Sequence, residues 1–423
     1  MLRLLFIWLE PTTHPIADET MWLMALSRIP AAHFSPFANY PIFHPPLYPY
    51  FLAAMNMVFG SLTAIKIVQV LLGSLLIPAV AHAGRRLIGL HTGLAAACFA
   101  AFYPELIWYS AHFWCETLFL AILWWGIERV LSADESGSVK TAAVAGLLLG
   151  LSVLTRETIL YLVPLATVWL AWNRPRARWR LGATVLLSMI VVVAPWTIRN
   201  WMQFGAFIPV STGGGLNLYQ GNTTLTRGEV YDEYYKNEGK VDQFVFARAE
   251  GIKAILSRQP WWLFEKIRDE GPLLAEVDSL ALIHIRRGAY GAATCSDYRA
   301  AAVVVLFPWI LIAGATVVAA SRLRLNRQSV FLVGLIVAYL LLHIATHGFA
   351  RYRLPVLPAF MIMAASLFDH QCMEGRSAGR RALQLALVVA LGLLWAPSLF
   401  DQAGDFGFTA APTYEGFAPL CGV

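Results

Sequence analysis

Arg156, Arg199, Arg351 and Arg353 lie at the ends of apolar runs, on a face that the chain's other basic loops avoid. A guanidinium offers paired N–H donors that match a phosphate, so arginines concentrated at one rim suggest a bound anion. The alternative for Arg351 and Arg353, which flank Tyr352, is snorkelling to lipid headgroups. Arg156 precedes Glu157, which can neutralise it. The same face carries Asp18, Glu19, Glu105 and Glu116. An acid near a low-dielectric interface can have its pKa raised into the range of a general base. It can equally serve to cap the helix that begins beside it. His44, in His44-Pro45-Pro46-Leu47-Tyr48-Pro49, suits a phosphate contact, a metal or an ordinary polar contact. His112, His343 and His347 lie near the same face without the spacing of a ligand set. The five cysteines show no metal spacing either.

The elements that must position these residues are apolar helices. Of 423 residues 58% are hydrophobic and 14% charged, which excludes a soluble globular domain. The net charge of +6 does not point to nucleic acid, because the basic residues flank apolar runs where membrane topology accounts for them. Runs long enough to cross a bilayer fall at about 63–83, 87–103, 113–131, 140–154, 158–173, 181–198, 300–320, 329–345, 354–368 and 382–399. Leu2 to Leu9 is too short to cross and reads as the end of a span that begins upstream. The expectation is an all-α polytopic membrane protein of about eleven transmembrane helices. If the spans alternate, 15 of the 32 basic residues, from Arg3 through Arg85, Arg86 and Arg129 to Arg381, fall on one face, taken as cytoplasmic. The N-terminus is then cytoplasmic and the four arginines are extracytoplasmic.

Three outer segments follow from this layout. The first, 10–62, holds Asp18-Glu19, an interfacial helix from Thr20 to Ile29, a proline-rich turn and a short apolar helix at 50–59. The second is a long loop, 200–298, with a glycine run at 213–215 expected to be a flexible turn and an amphipathic helix from Asp242 to Ser257. The glycine run lacks the Lys and Ser/Thr of a phosphate-binding P-loop. The third is the short turn 346–353. Three units result: an N-terminal transmembrane module at 1–199, the loop at 200–298, and C-terminal helices with an outer tail at 299–423.

Taken in order, these motifs resemble the membrane glycosyltransferases that use polyprenyl-phosphate sugars, the protein O-mannosyltransferase and aminoarabinose-transferase superfamily with the GT-C fold. Ala17-Asp18-Glu19 with Trp22, His44 through Pro49, Tyr103-Pro104 through Glu116-Thr117-Leu118-Phe119, Pro195 through Asn200 with Phe207 through Thr212, and Arg351 through Pro358 carry the resemblance. It implies an extracytoplasmic active site and a lipid-linked donor. Asp18 would be the base, with Glu19 beside it, and Glu116 would place the acceptor or a metal. His44, Arg199, Arg351 and Arg353 would face the donor phosphate, with Tyr48 and Tyr352 as further substrate-binding residues. A divalent metal ion stays open as a cofactor. Glu157 departs from the pattern, standing where the superfamily has proline, and Cys115 stands where a small polar residue is commoner.

The expected activity is transfer of a sugar to a lipid, glycan or protein acceptor, with inversion at the anomeric carbon. Two competitors stand beside it. A lipid-linked-sugar flippase would carry paired repeats and midplane charges, neither of which the sequence has. A non-catalytic scaffold would bind a partner through 200–298 and dispense with Asp18.

Overall fold

A computed structural model describes residues 1–9, 15, 18–31, 43–172, 175–286, 288–290, 293–324 and 326–369, with a few more among 386–396. Every element among them is a helix, as expected of an all-α membrane protein. Four helices are long and apolar enough to cross a bilayer: Leu62–Leu87, Trp179–Phe204, Ser296–Ala320 and Arg327–Ala345. Leu90–Phe102 and Pro104–Ala111, bent by 52° at the break, pass the same test only when taken together, as a broken span or a re-entrant pair. This measure gives fewer spans than the eleven expected: Val139–Thr155, at 17 residues, is among the shorter apolar helices, and three further expected spans differ for local reasons. Glu116–Ser136 has 21 residues but carries Glu116, Glu128, Arg129, Asp134 and Glu135. The expected span 158–173 divides into a 3-10 turn, Glu157–Tyr161, and the helix Val163–Ala171. The expected span 354–368 likewise begins in a 3-10 turn, Ala350–Val356, before Leu357–Ala365. Most of 382–399 lies outside the described residues.

Small residues let the helices approach where water gives no driving force between them. Gly146 and Gly150 share one face of Val139–Thr155 and meet Val185, Ser188 and Val192 of the helix Pro175–Phe204. A side chain at either glycine would strike that neighbour. Gly84 and Gly93 make the same close approach between Leu76–Leu87 and Leu90–Phe102.

The charges sort to opposite ends of Glu116–Ser136, which is about 31 Å long, one hydrocarbon thickness. At its C-terminal end Arg86 binds Glu128 at 3.0 Å and also Glu135, Arg129 binds Glu128 at 2.5 Å, and Arg327 binds Asp134. At its N-terminal end lie Glu116, Arg156, Asp18 and Arg351. Arg3 departs from the expected division. It is buried in the Leu2–Leu9 helix, against Pro104–Ala111, and donates to the Ala100 carbonyl at 3.3 Å, toward the end opposite Arg86.

The long segment 200–298, expected to be an outer loop, is helical over much of its length: Gly213–Asn222, Arg227–Tyr235, Lys240–Ser257, Trp262–Ala275 and Leu280–Arg286. The expected amphipathic helix is present as Lys240–Ser257. The glycine run corrects the expectation of a flexible turn, because it forms the first turn of Gly213–Asn222. Its glycines admit the Phe43 carbonyl, the Glu157 carboxylate and Phe244 at distances that a Cβ would close off.

Candidate active site at one rim of the bundle

Asp18 begins the helix Asp18–Ala31, where a carboxylate favours the positive end of the helix dipole. Its Oδ2 accepts a hydrogen bond from Nη1 of Arg351 at 3.1 Å. Residues 333 positions apart are thus joined at one point. Glu116 begins Glu116–Ser136 in the same way, and Arg156 caps the C-terminus of Val139–Thr155. Their side chains pair at 2.8 Å, both largely buried.

Tyr352 gathers the two pairs. The guanidinium carbons of Arg156 and Arg351 lie 5.6 and 5.4 Å from its ring centre, within cation–π range. Trp114 takes a third position, 5.5 Å from Arg351. Burial works against charge on Arg351, but Tyr352, Asp18 and Glu116 outweigh it and hold its pKa well above the ordinary value. Burial also opposes charge on Asp18, yet Arg351, His44 and Arg156 keep its carboxyl below the usual range. His44 packs between Trp22, 4.8 Å away, and Phe43, 4.7 Å away. Burial, reinforced by Arg351 and Arg156 and opposed by Asp18, pushes it down to about 4.

Glu19 is 2% exposed and turns away from Asp18, accepting from the Phe113 backbone N–H at 2.9 Å through Oε1. Its Oε2, with His44 Nε2 and Arg351 Nε, is buried without a hydrogen-bond partner. Buried polar atoms of this kind are normally satisfied, so these three are open to a polar ligand or water.

The other expected residues are distributed differently. Tyr48 is fully buried and donates to Gln69 Oε1 at 2.8 Å, while Gln69 donates to the backbone at Tyr109, Ser110 and His112. Tyr48 therefore braces the turn before Glu116 with its hydroxyl engaged. Arg199 stacks 4.6 Å from Trp196 and donates to Asn200, and it joins neither ion pair among the described residues. It lies within a continuous helix that runs on to Phe204, whereas the sequence suggested a helix end. Arg353 is 3% exposed, donates to the carbonyls of Leu274, Glu276 and Asp278 at 2.5–3.4 Å, and lies 4.1 Å from Trp309. That geometry corrects the expected pairing of Arg353 with Arg351: carbonyls already occupy its donors. Glu105 is buried and accepts from Ser279 at 2.6 Å, fastening the far end of the outer loop.

Two features escaped the sequence reading. Glu157, the departure from the superfamily pattern, is half-buried and accepts from the Ser211 hydroxyl at 2.7 Å and its N–H at 3.2 Å. Burial raises its pKa, against which the Ser211 and Gly214 donors work. It thus anchors the start of Gly213–Asn222. Lys266 and Glu270 form a buried pair on Trp262–Ala275 beside residues 346–348. No group of three His, Cys, Asp or Glu side chains suited to a metal occurs among the described residues.

Among the described residues, then, the chain is an all-helical bundle with an acid–arginine cluster at one end. Residues 43–198 match the family described as dolichyl-phosphate-mannose-protein mannosyltransferase. The fold is similar to that of ArnT from Cupriavidus metallidurans bound to undecaprenyl phosphate, with a TM-score of 0.54 and 14% identity over 96% of this chain and 63% of that one. It is also similar to the Archaeoglobus fulgidus oligosaccharyltransferase in the apo form, with a TM-score of 0.51 and 14% identity over 96% of this chain and 53% of that one. The chain thus spans 63% and 53% of the lengths of these two proteins. A search of the curated proteins gives no match.

Proposed function

We propose that this protein is an integral-membrane glycosyltransferase that moves a sugar from a polyprenyl-phosphate donor to an extracytoplasmic acceptor. The observation that carries the proposal is the Asp18–Arg351 ion pair, set beside Glu116–Arg156 at the rim of the bundle. It joins a carboxylate base to an anion-binding guanidinium in one contact.

The donor has two parts, and the fold has a feature suited to each. An apolar groove runs between helices and is lined by Leu123, Ile127, Leu162, Trp169, Phe331 and Tyr339, among others. Such a surface suits an isoprenoid tail. Arg351 and Arg156 suit the phosphate above it. The mannosyltransferase match over 43–198, and the likeness to a protein solved with undecaprenyl phosphate, support this class of donor.

In the reaction we propose, the incoming phosphate takes the Arg351 donors, and Asp18 is released from its partner. The Asp18 carboxylate then accepts the proton of the acceptor hydroxyl or amine as that atom attacks the anomeric carbon. The bond from that carbon to the phosphate oxygen breaks, and polyprenyl phosphate leaves with its negative charge stabilised by the guanidiniums. One displacement inverts the anomeric centre. Glu116 and Glu19 orient the acceptor.

The test is purified protein incubated with a panel of polyprenyl-phosphate sugars and acceptors, with and without a chelator, measuring the released lipid phosphate. Release that requires acceptor, Asp18 and Arg351 is the expected result. Translocation of the intact lipid-linked sugar without any new glycosidic bond would refute the reading.

A further inference from the structure

The turn that delivers Arg351 is held from outside the bundle. Residues 346–349 connect the helix Arg327–Ala345 to the 3-10 turn Ala350–Val356. Lys266, on the outer-loop helix Trp262–Ala275, reaches this connection and is 2% exposed. Its ammonium donates to Glu270 Oε1 at 3.0 Å, to the Thr346 carbonyl at 3.4 Å, and to the Gly221 carbonyl. These three acceptors match its three N–H donors. Glu270 Oε2 in turn accepts from the Gly348 N–H at 2.5 Å and lies 3.4 Å from His347 Nδ1. Asn222 donates to the Ala345 carbonyl at 2.9 Å from the other side.

The contact is stripped to backbone on both faces. A Cβ at Gly221 would run into the Thr346 carbonyl, and one at Gly348 would lie 2.6 Å from the Glu270 carbonyl. Burying an ammonium and a carboxylate is a poor way to add bulk stability, since an apolar pair holds two helices at least as well. Directed hydrogen bonds do something an apolar pair cannot: they fix the register of a main-chain turn. The turn fixed here ends three residues before Arg351.

We infer that Lys266 and Glu270 are positioning residues, through which the outer loop sets Arg351 in place for the donor phosphate. The inference rests on the proposed role of Arg351 as a phosphate ligand. It makes the loop part of the site through the turn that carries Arg351.

The experiment uses the full chain in nanodiscs, with undecaprenyl phosphate as the binding probe and a polyprenyl-phosphate sugar as the donor. Lys266→Met should weaken binding of the probe and raise the donor KM about tenfold, with kcat within about twofold of the parent. Gly348→Ala keeps both charges while pushing the loop away, and should give the same split. Because both variants break one contact, the double variant should be no worse than the poorer single one. Unchanged binding in both single variants overturns the inference. So does a parallel fall in kcat and unfolding temperature with KM unaltered, which is the mark of a merely structural role. Arg351→Ala separates the two readings. If it binds the probe as the parent does, the phosphate role of Arg351 fails and the inference falls with it. If it loses binding while Lys266→Met and Gly348→Ala keep it, the positioning inference alone fails.

Discussion

Asp18 and His44 share one electrostatic environment, and both have lowered pKa values for different reasons. For His44 burial leads, and two arginines add to it, giving a value of about 4. For Asp18 burial pulls the other way and is overcome by Arg351, His44 and Arg156. At neutral pH the site therefore holds a charged carboxylate beside an uncharged imidazole. The signs lead to a pH prediction. An imidazole with a folded pKa below its unfolded value near 6.5 costs stability as pH falls from about 6.5 to about 4. The Asp18 contribution persists to lower pH and is lost only below the ordinary carboxylate value of about 3.8. Unfolding midpoints measured across this range should fall below about pH 6.5, and His44→Gln should flatten that fall. The acid limb of kcat/KM should carry no break near 6.5 from His44. A second prediction separates binding from chemistry. Asp18→Asn should lower transfer by about 10²–10⁴-fold and leave the protein folded. Its binding of polyprenyl phosphate should hold or tighten, because Arg351 loses a competing partner. Weaker phosphate binding by this variant would count against the exchange of partners proposed for Arg351. The sequence allowed Asp18, Glu116 and Arg351 to be singled out because each combines an ionisable group with an apolar flank. It did not separate Arg351 from Arg353: the two have the same type and flanks, but the 3-10 turn directs them to different partners.

The elements meet the site through their ends. Glu116 is the first residue of its helix and Arg156 the cap following its own, so each side chain complements a helix dipole as well as its partner. Removing one member leaves the other buried and uncompensated. Glu116→Gln should cost about 3–5 kcal/mol, measured by unfolding in detergent, and Glu116→Gln with Arg156→Met should recover much of it. An additive loss in the double variant would mean that the pair is not the source. Hydropathy located these helices well: 140–154 became Val139–Thr155, and 329–345 became Arg327–Ala345. It was less informative where a helix outruns its apolar core, as Pro175–Phe204 does at both ends, and where a span starts in a 3-10 turn. Nor does the glycine run at 213–215 declare itself as a helix start. Glycine there reflects close approach by Phe43, Glu157 and Phe244, and those neighbours are distant in sequence. Lys266 was hidden for a related reason: on an amphipathic helix a lysine usually marks the solvent side, and only tertiary contacts bury this one.

The bundle as a whole joins a charged rim to an apolar groove that reaches toward its other end. Trp169 and Phe331 line the groove near Arg327 and the basic end, while Tyr339, Pro355 and Val356 line it toward the rim. A headgroup held at the rim would let its tail follow the groove, and chain length would then matter to binding. Gly334 lines the groove in the middle of Arg327–Ala345, and nothing lies within 4 Å of where its Cβ would stand. A Cβ there meets no neighbour, so a larger side chain can start out toward the groove, and exchanging glycine within a helix favours helix formation. Gly334→Trp should therefore fold normally. It should raise the KM for a long polyprenyl-phosphate donor about tenfold or more, and leave a donor with a short isoprenoid tail nearly unchanged. The comparison is internal, since both donors present the same sugar and phosphate to Asp18 and Arg351. Equal effects on long and short donors would place the tail elsewhere in the bilayer and leave the groove as an ordinary seam between helices.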